Sequence, residues 1–173
     1  MNFGFQNLRI SGKADLNVIS KLRRLKLFQD FTPKELIEIA RIVYVRHYRK
    51  NELVFKENHP GVGMYFVDSG SVKVVKSSHI DDDRQLSILQ PGQFIGELCL
   101  LNGESRTVSA IALEETCLLA IFRPDLMGLL NRKPRLGNKF LMTLIQAVTS
   151  NLRRKDEELL QMKETLSNSD IIQ

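Results

Sequence analysis

The sequence predicts an α+β domain: N-terminal helices, an antiparallel jelly-roll-like β-roll, and a long C-terminal helix. Three observations predict it. Apolar residues recur at helical spacing before residue 44. Residues 44–122 break into short apolar runs separated by turn residues. After Pro134 helical spacing returns and holds for some thirty residues.

Residues 1–14 are mixed in character and are expected to form a flexible N-terminus. Asp15 is a candidate N-cap for a helix over Leu16 to Leu25, with Leu16, Ile19, Leu22 and Leu25 on one face. After a turn at residues 26–31, Thr32-Pro33-Lys34-Glu35 carries three helix-start features at once. Thr caps, Pro occupies a position that needs no N–H, and Glu reaches back to the cap. Leu36, Ile39, Ala40 and Val43 continue that face, so helices are expected within residues 15–43.

Strands follow at Val45 to Tyr48, Leu53 to Phe55, Met64 to Val67 and Ser71 to Lys76, with Asp68-Ser69-Gly70 as a tight turn. Asn51 and Asn58 stand in turns, and Asn tolerates the left-handed conformation better than other non-Gly residues. The acids Asp81, Asp82 and Asp83 fall in a polar loop without calcium-loop spacing. Gln85 to Leu89 is a strand, and Pro91-Gly92 turns the chain into residues 94–108. Val108 to Leu113 and Thr116 to Phe122 complete a closed roll over residues 44–122.

Pro124 to Leu130 is expected as a short helix, and a long one runs from Pro134 to about Thr165. Ile145, Val148, Leu152, Leu159, Met162 and Leu166 repeat as a heptad seam interrupted by Lys155. Past Leu152 no further chain remains to cover that seam, so a partner helix is expected there, most simply from a second copy in a homodimer. The C-terminal helices are placed within residues 124–166, with residues 167–173 as a tail.

With 173 residues and 43% apolar content, one domain with a real core is expected. Neither a membrane-length apolar run nor a signal-peptide core is present, so a cytoplasmic chain without membrane insertion is expected. Cys99 and Cys117 then read as buried reduced thiols. His47, His59 and His79 lack metal-ligand spacing, and no metal is expected. No nucleophile elbow, P-loop or paired-carboxylate pattern argues for an enzyme. The net charge of +5 is uneven: residues 1–50 hold 11 basic and 4 acidic side chains, which leaves the remainder at −2. Without a basic run or interleaved aromatics, this reads as a solvated helix face rather than a site for specific DNA.

The chemistry concentrates in Phe94 to Val108. Gly96 has no Cβ, so backbone can approach a ligand there. The N–H groups of the helical turn that follows are unpaired, and Asn102-Gly103 ends that turn with Gly as a left-handed cap. Arg106 returns a guanidinium whose fork matches a phosphate. Glu97 supplies a pure acceptor beside this anion site, which suits a ligand that also brings hydroxyl donors. Phosphate and sugar hydroxyl, held close together, are implied.

Gly96-Glu97-Leu98, with Arg106 nine residues after Glu97, resembles the phosphate-binding cassette of the cyclic-nucleotide-binding domain family. Catabolite activator proteins, kinase A regulatory subunits and nucleotide-gated channels belong to it. The strand, Ser-Gly turn, strand unit at Met64 to Lys76 and the flanking helices fit the same pattern, over roughly residues 25–166. The resemblance implies that Glu97 takes the ribose 2′-hydroxyl and Arg106 the cyclic phosphate. It implies Val74, Leu86, Ile95, Leu98, Cys99, Thr107 and Val108 as the remaining wall, with Lys155 and Asp156 near the base under the terminal helix. The implied ligand is cyclic AMP, or cyclic GMP, since Thr107 suits either, and cyclic AMP is favoured. The implied role is a sensor that acts through its C-terminal helix on an unnamed downstream protein. Alternatives are a ligand-free dimeric interaction module of the same fold and a truncated transcription regulator. A cupin-like metalloenzyme would need clustered histidines.

Overall fold

A computed structural model describes residues 15–77 and 84–170, with side chains described through Thr165 except at Arg84. The calls on residues 1–14, on His79 and Asp81 to Asp83, and on the Leu166 side chain lie outside what it describes.

Helix α1 spans Leu16–Arg24, and the Asp15 carboxylate accepts a hydrogen bond from the Asn17 amide at 2.8 Å, as an N-cap should. Its buried stripe is Val18, Ile19 and Leu22; Leu16, expected on that face, is 81% exposed because it sits in the first turn beyond the core. A 3₁₀ turn at Lys26–Phe28 leads to α2, Pro33–Ala40. Both halves of the capping box form there. The Glu35 amide donates to Thr32 Oγ1, and the Thr32 amide donates to the Glu35 carboxylate. Val43, expected on the α2 face, instead opens β1 (Val43–Tyr48). Ile42, Val43 and Val45 are β-branched and favour extended backbone once the helix stops at Ala40.

The strands that follow are β2 (Leu53–Phe55), β3 (Gly63–Ser69), β4 (Val72–Lys76), β5 (Arg84–Leu89) and β6 (Phe94–Ile95). Helix α3 (Glu97–Asn102) interrupts them before β7 (Ser109–Ala112) and β8 (Thr116–Phe122). All pairings are antiparallel and form two four-stranded sheets, ordered β1-β8-β3-β6 and β2-β7-β4-β5. Asn51 and Asn58 hold φ of 64° and 63°, the left-handed backbone that Asn tolerates in turns.

Alternation along β3 divides the core in two. Tyr65 and Val67 point between the sheets, against Val72, Ala110, Leu118 and Ala120. Met64 and Phe66 point outward into an apolar mass built by the helices. Phe28 is its hub, with the rings of Phe31, Phe66 and Phe140 at 5.4, 5.5 and 6.1 Å. Leu100 of α3 reaches this mass and is fully buried, so the short helix is anchored from behind.

Helix α4 covers Arg123–Arg132, slightly longer at both ends than expected. Helix α5 runs from Pro134 to Asp170, past the expected end near Thr165 and into the expected tail. No Gly or Pro stands between Thr165 and Asp170 to stop it earlier. Leu136, Phe140 and Leu144 root α5 in the helical core, whereas every side chain from Thr149 to Thr165 is exposed. Leu152, Leu159 and Met162 of the heptad seam are 59, 56 and 63% exposed. No described helix is long and apolar enough to cross a membrane.

Candidate functional site

Between β6 and β7 the chain builds a compact cassette around α3. Gly96 has φ +89° and Gly103 φ +74°, so left-handed residues bracket six helical ones. The Gly103 amide closes the helix by donating to the Cys99 carbonyl at 3.0 Å. The return strand is tied to the β2–β3 loop. The Arg106 amide donates to the His59 carbonyl at 2.9 Å, and the Asn58 amide donates to the Arg106 carbonyl at 2.8 Å. The left-handed turn at Asn58 therefore positions Arg106 directly.

Arg106 is 3% exposed. Its Nη2 donates to the Gly63 carbonyl at 2.6 Å, while Nε and Nη1 are buried without a partner. The guanidinium carbon lies 4.1 Å from the Phe55 ring centroid and 5.7 Å from that of Tyr65. Buried donors are nearly always satisfied, and two free ones on one cation are suited to an anion.

Glu97 opens α3 and is half-buried. Burial pushes its carboxyl above the ordinary range, against the pull of its own amide, the Gly96 amide and the Arg106 charge. Burial likewise raises Tyr65, with Arg106 pulling the other way. The Cys99 thiol is buried behind α3 and donates to the Ser105 carbonyl at 3.6 Å; Cys117 is also buried, and neither is in a disulfide.

The remaining expected site residues divide. Val74 is buried in β4, and Ile95 and Val108 are half-buried beside the cassette. Leu86, Leu98 and Thr107 are exposed. Lys155 and Asp156 lie on the exposed half of α5, so the structure does not bring them to the cassette. Three neighbours of Arg106 were not singled out from the sequence: Phe55, Gly63 and Tyr65. The alternation of β2 and β3 carries a signal for the two aromatics, but nothing local marks the Gly63 carbonyl. Among the described residues no group of three or more His, Cys, Asp or Glu could hold a metal ion. A separate open groove of about 480 Å³ is lined by Val62, Gly103, Arg123 and Met127 and includes none of the expected site residues.

Comparison with known proteins agrees with this geometry. The chain is 33% identical over 134 residues to a cyclic AMP receptor protein of Thermus thermophilus, covering 77% of this chain and 60% of that one. It is 30% identical over 120 residues to a cyclic nucleotide-gated potassium channel of Mesorhizobium japonicum, covering 69% of this chain and 32% of the channel. The chain therefore spans from about a third to about 60% of the length of these relatives. A solved cyclic nucleotide-binding domain from Methylobacillus flagellatus superposes with TM-score 0.76 at 26% identity, over 89% of this chain and 86% of that one. The family model described as cyclic nucleotide-binding domain matches residues 45–133, from within β1 to the end of α4 and with the whole cassette inside. The chain belongs to the cyclic nucleotide-binding domain family.

Proposed function

We propose that this chain is a cyclic-nucleotide sensor that prefers cyclic AMP to cyclic GMP. On this reading it reports occupancy through movement of α5 and works as a homodimer joined along that helix. One observation carries it: the buried Arg106 guanidinium, with Nε and Nη1 unpaired, beside Glu97 and Gly96. A cyclic phosphate accepts from free N–H groups along the guanidinium rim, and Glu97 accepts from the ribose 2′-hydroxyl. Likeness to a cyclic AMP receptor protein supports the preference for cyclic AMP.

Lys155 and Asp156 stand in solvent, and a base held in the cassette offers α5 a surface on which to close. Because such a base contacts only the closed position, binding shifts the helix population toward it. The apolar seam of Leu152, Leu159 and Met162, exposed along one chain, is the surface assigned to the second copy. No chemical step is assigned to the chain.

Calorimetric titration of the full chain with each nucleotide tests the reading. The expected result is one site per chain, with cyclic AMP the tighter ligand. Tighter cyclic GMP would overturn the preference; no binding of either would leave the ligand-free dimeric module.

A further inference from the structure

Arg106 is a buried cation without an ion-pair partner among the described residues, although the Glu97 carboxyl is near enough to feel its charge. No carboxylate among the described residues comes within ion-pair distance of it, and of its guanidinium nitrogens only Nη2 is hydrogen-bonded. Burying such a charge is costly unless something compensates it. Here the compensation is aromatic. The guanidinium carbon sits 4.1 Å from the Phe55 centroid, and Tyr65 stands beside Phe55 with its ring centroid 5.8 Å away.

An aromatic ring attracts a guanidinium through its face. The five N–H donors all lie in the guanidinium plane and point outward along its edge. Phe55 thus offsets the charge without using a single donor. A carboxylate in its place would occupy donors in pairs and would have to be displaced by a phosphate. An aliphatic side chain would bury the cation and offset little. The register supports the placement, because Phe55 faces Ala110, whose small side chain is fully buried between the sheets.

We propose that Phe55 is a positioning residue for the nucleotide site: its ring holds Arg106 by the face, so that the guanidinium rim, with Nε and Nη1 unpaired, stays free for the ligand phosphate. This rests on the cyclic-nucleotide reading of the same pocket. Tyr65, farther from the cation at 5.7 Å, has the lesser part.

Two measurements on the full chain test it. In calorimetry with cyclic AMP, Phe55→Leu should bind more weakly, because a loosened guanidinium must be ordered on binding, with the worth of one cation–π contact, about thirtyfold, as the ceiling. Phe55→Trp, a better π face, should bind at least as well as the parent. In nitrogen-15 spectra without nucleotide, the Arg106 Nε–H resonance, assigned by its loss in Arg106→Lys, should be visible at neutral pH. The Phe55 ring current should move it upfield, and Phe55→Leu should abolish that displacement.

Parent-like affinity in Phe55→Leu, or equal losses in the Leu and Trp variants, would overturn the proposal. If the Leu variant does not fold, the Trp variant and the parent spectrum decide; an Arg106 Nε–H without ring-current displacement overturns it. A parent that shows the displaced resonance but binds neither nucleotide instead overturns the nucleotide reading.

Discussion

A Cβ on Gly96 would stand 2.3 Å from Arg106 Nη1, so residue 96 and the guanidinium compete for one space. The same Cβ would meet the Gly63 carbonyl at 2.9 Å, the group that anchors Nη2. Gly96 also holds φ +89°, where a side chain is strained whatever the room. Gly96→Ala is therefore expected to lose ~1–2 kcal/mol of stability from the backbone alone. By forcing Arg106 off its carbonyl, it should also weaken nucleotide binding by more than about tenfold, that is ~1.4 kcal/mol. Thermal melts and calorimetry on the one variant measure both effects.

Arg106→Ala removes the charge that a phosphate would meet in a nearly dry pocket. Losing one partner of such a pair costs ~2–5 kcal/mol, or roughly thirtyfold to a few thousandfold in affinity. Without ligand, the lost Gly63 hydrogen bond is offset by the removal of two unsatisfied buried donors. The melting midpoint should then move by no more than about 4 °C. Unchanged calorimetric affinity for both nucleotides would defeat the proposed function.

On the proposed function, Glu97 should make binding pH-dependent. Its carboxyl is raised above 4.5, chiefly by burial, and only the ionised form accepts from a ribose hydroxyl without restriction. Affinity should be flat at neutral pH and fall as the pH drops through the raised value. Glu97→Gln should flatten that profile at the cost of roughly 1–2 kcal/mol of binding. The stability sign is opposite to that of a salt-bridged acid. A raised carboxyl favours the protonated folded chain, so Glu97 costs stability as the pH rises through that window. Glu97→Gln should therefore melt no lower than the parent at pH 7.

Leu152→Glu with Leu159→Glu should give single chains in light scattering at micromolar concentration, where the parent scatters as a dimer. A carboxylate is costly when a partner helix buries it unpaired, and harmless when the helix stands in water. Both positions are exposed in one chain, so the β-roll should melt as before. A parent mass of one chain would defeat the homodimer.

Ending the chain at Arg154 removes Lys155 and Asp156 but no buried side chain among those described. The expected outcome is weaker cyclic AMP binding with an unchanged circular dichroism signal from the sheets. Unaltered affinity would mean that α5 does not close on the base.

Much of this was legible in the sequence because it is local. Asp15, the Thr32–Glu35 capping box, the left-handed asparagines and the glycines bracketing α3 each declare a backbone conformation within four residues. What the sequence did not disclose depends on residues far apart in the chain. Phe55 and Gly63 meet Arg106 only because β2, β3 and the cassette return come together in the roll. Burial of the guanidinium is likewise a tertiary fact, invisible in a window around residue 106. The misplacements of Leu16 and Val43 have the same origin, since periodicity shows a face but not where the core ends.

The outer half of α5 follows a different rule from its root. Phe140 and Leu144 are fully buried, whereas Thr149 to Thr165 are all exposed, so helicity there rests on local terms such as the Arg154–Glu158 pair. An i,i+4 ion pair contributes only about 0.2–0.5 kcal/mol, and unsupported helices of this length are marginal in water. In a solitary chain, backbone amides beyond residue 149 should exchange with deuterium orders of magnitude faster than those near Phe140, outside the cooperative unit of the domain. Exchange along α5 thus becomes a gauge of engagement: whatever covers the seam must write its footprint there as protection.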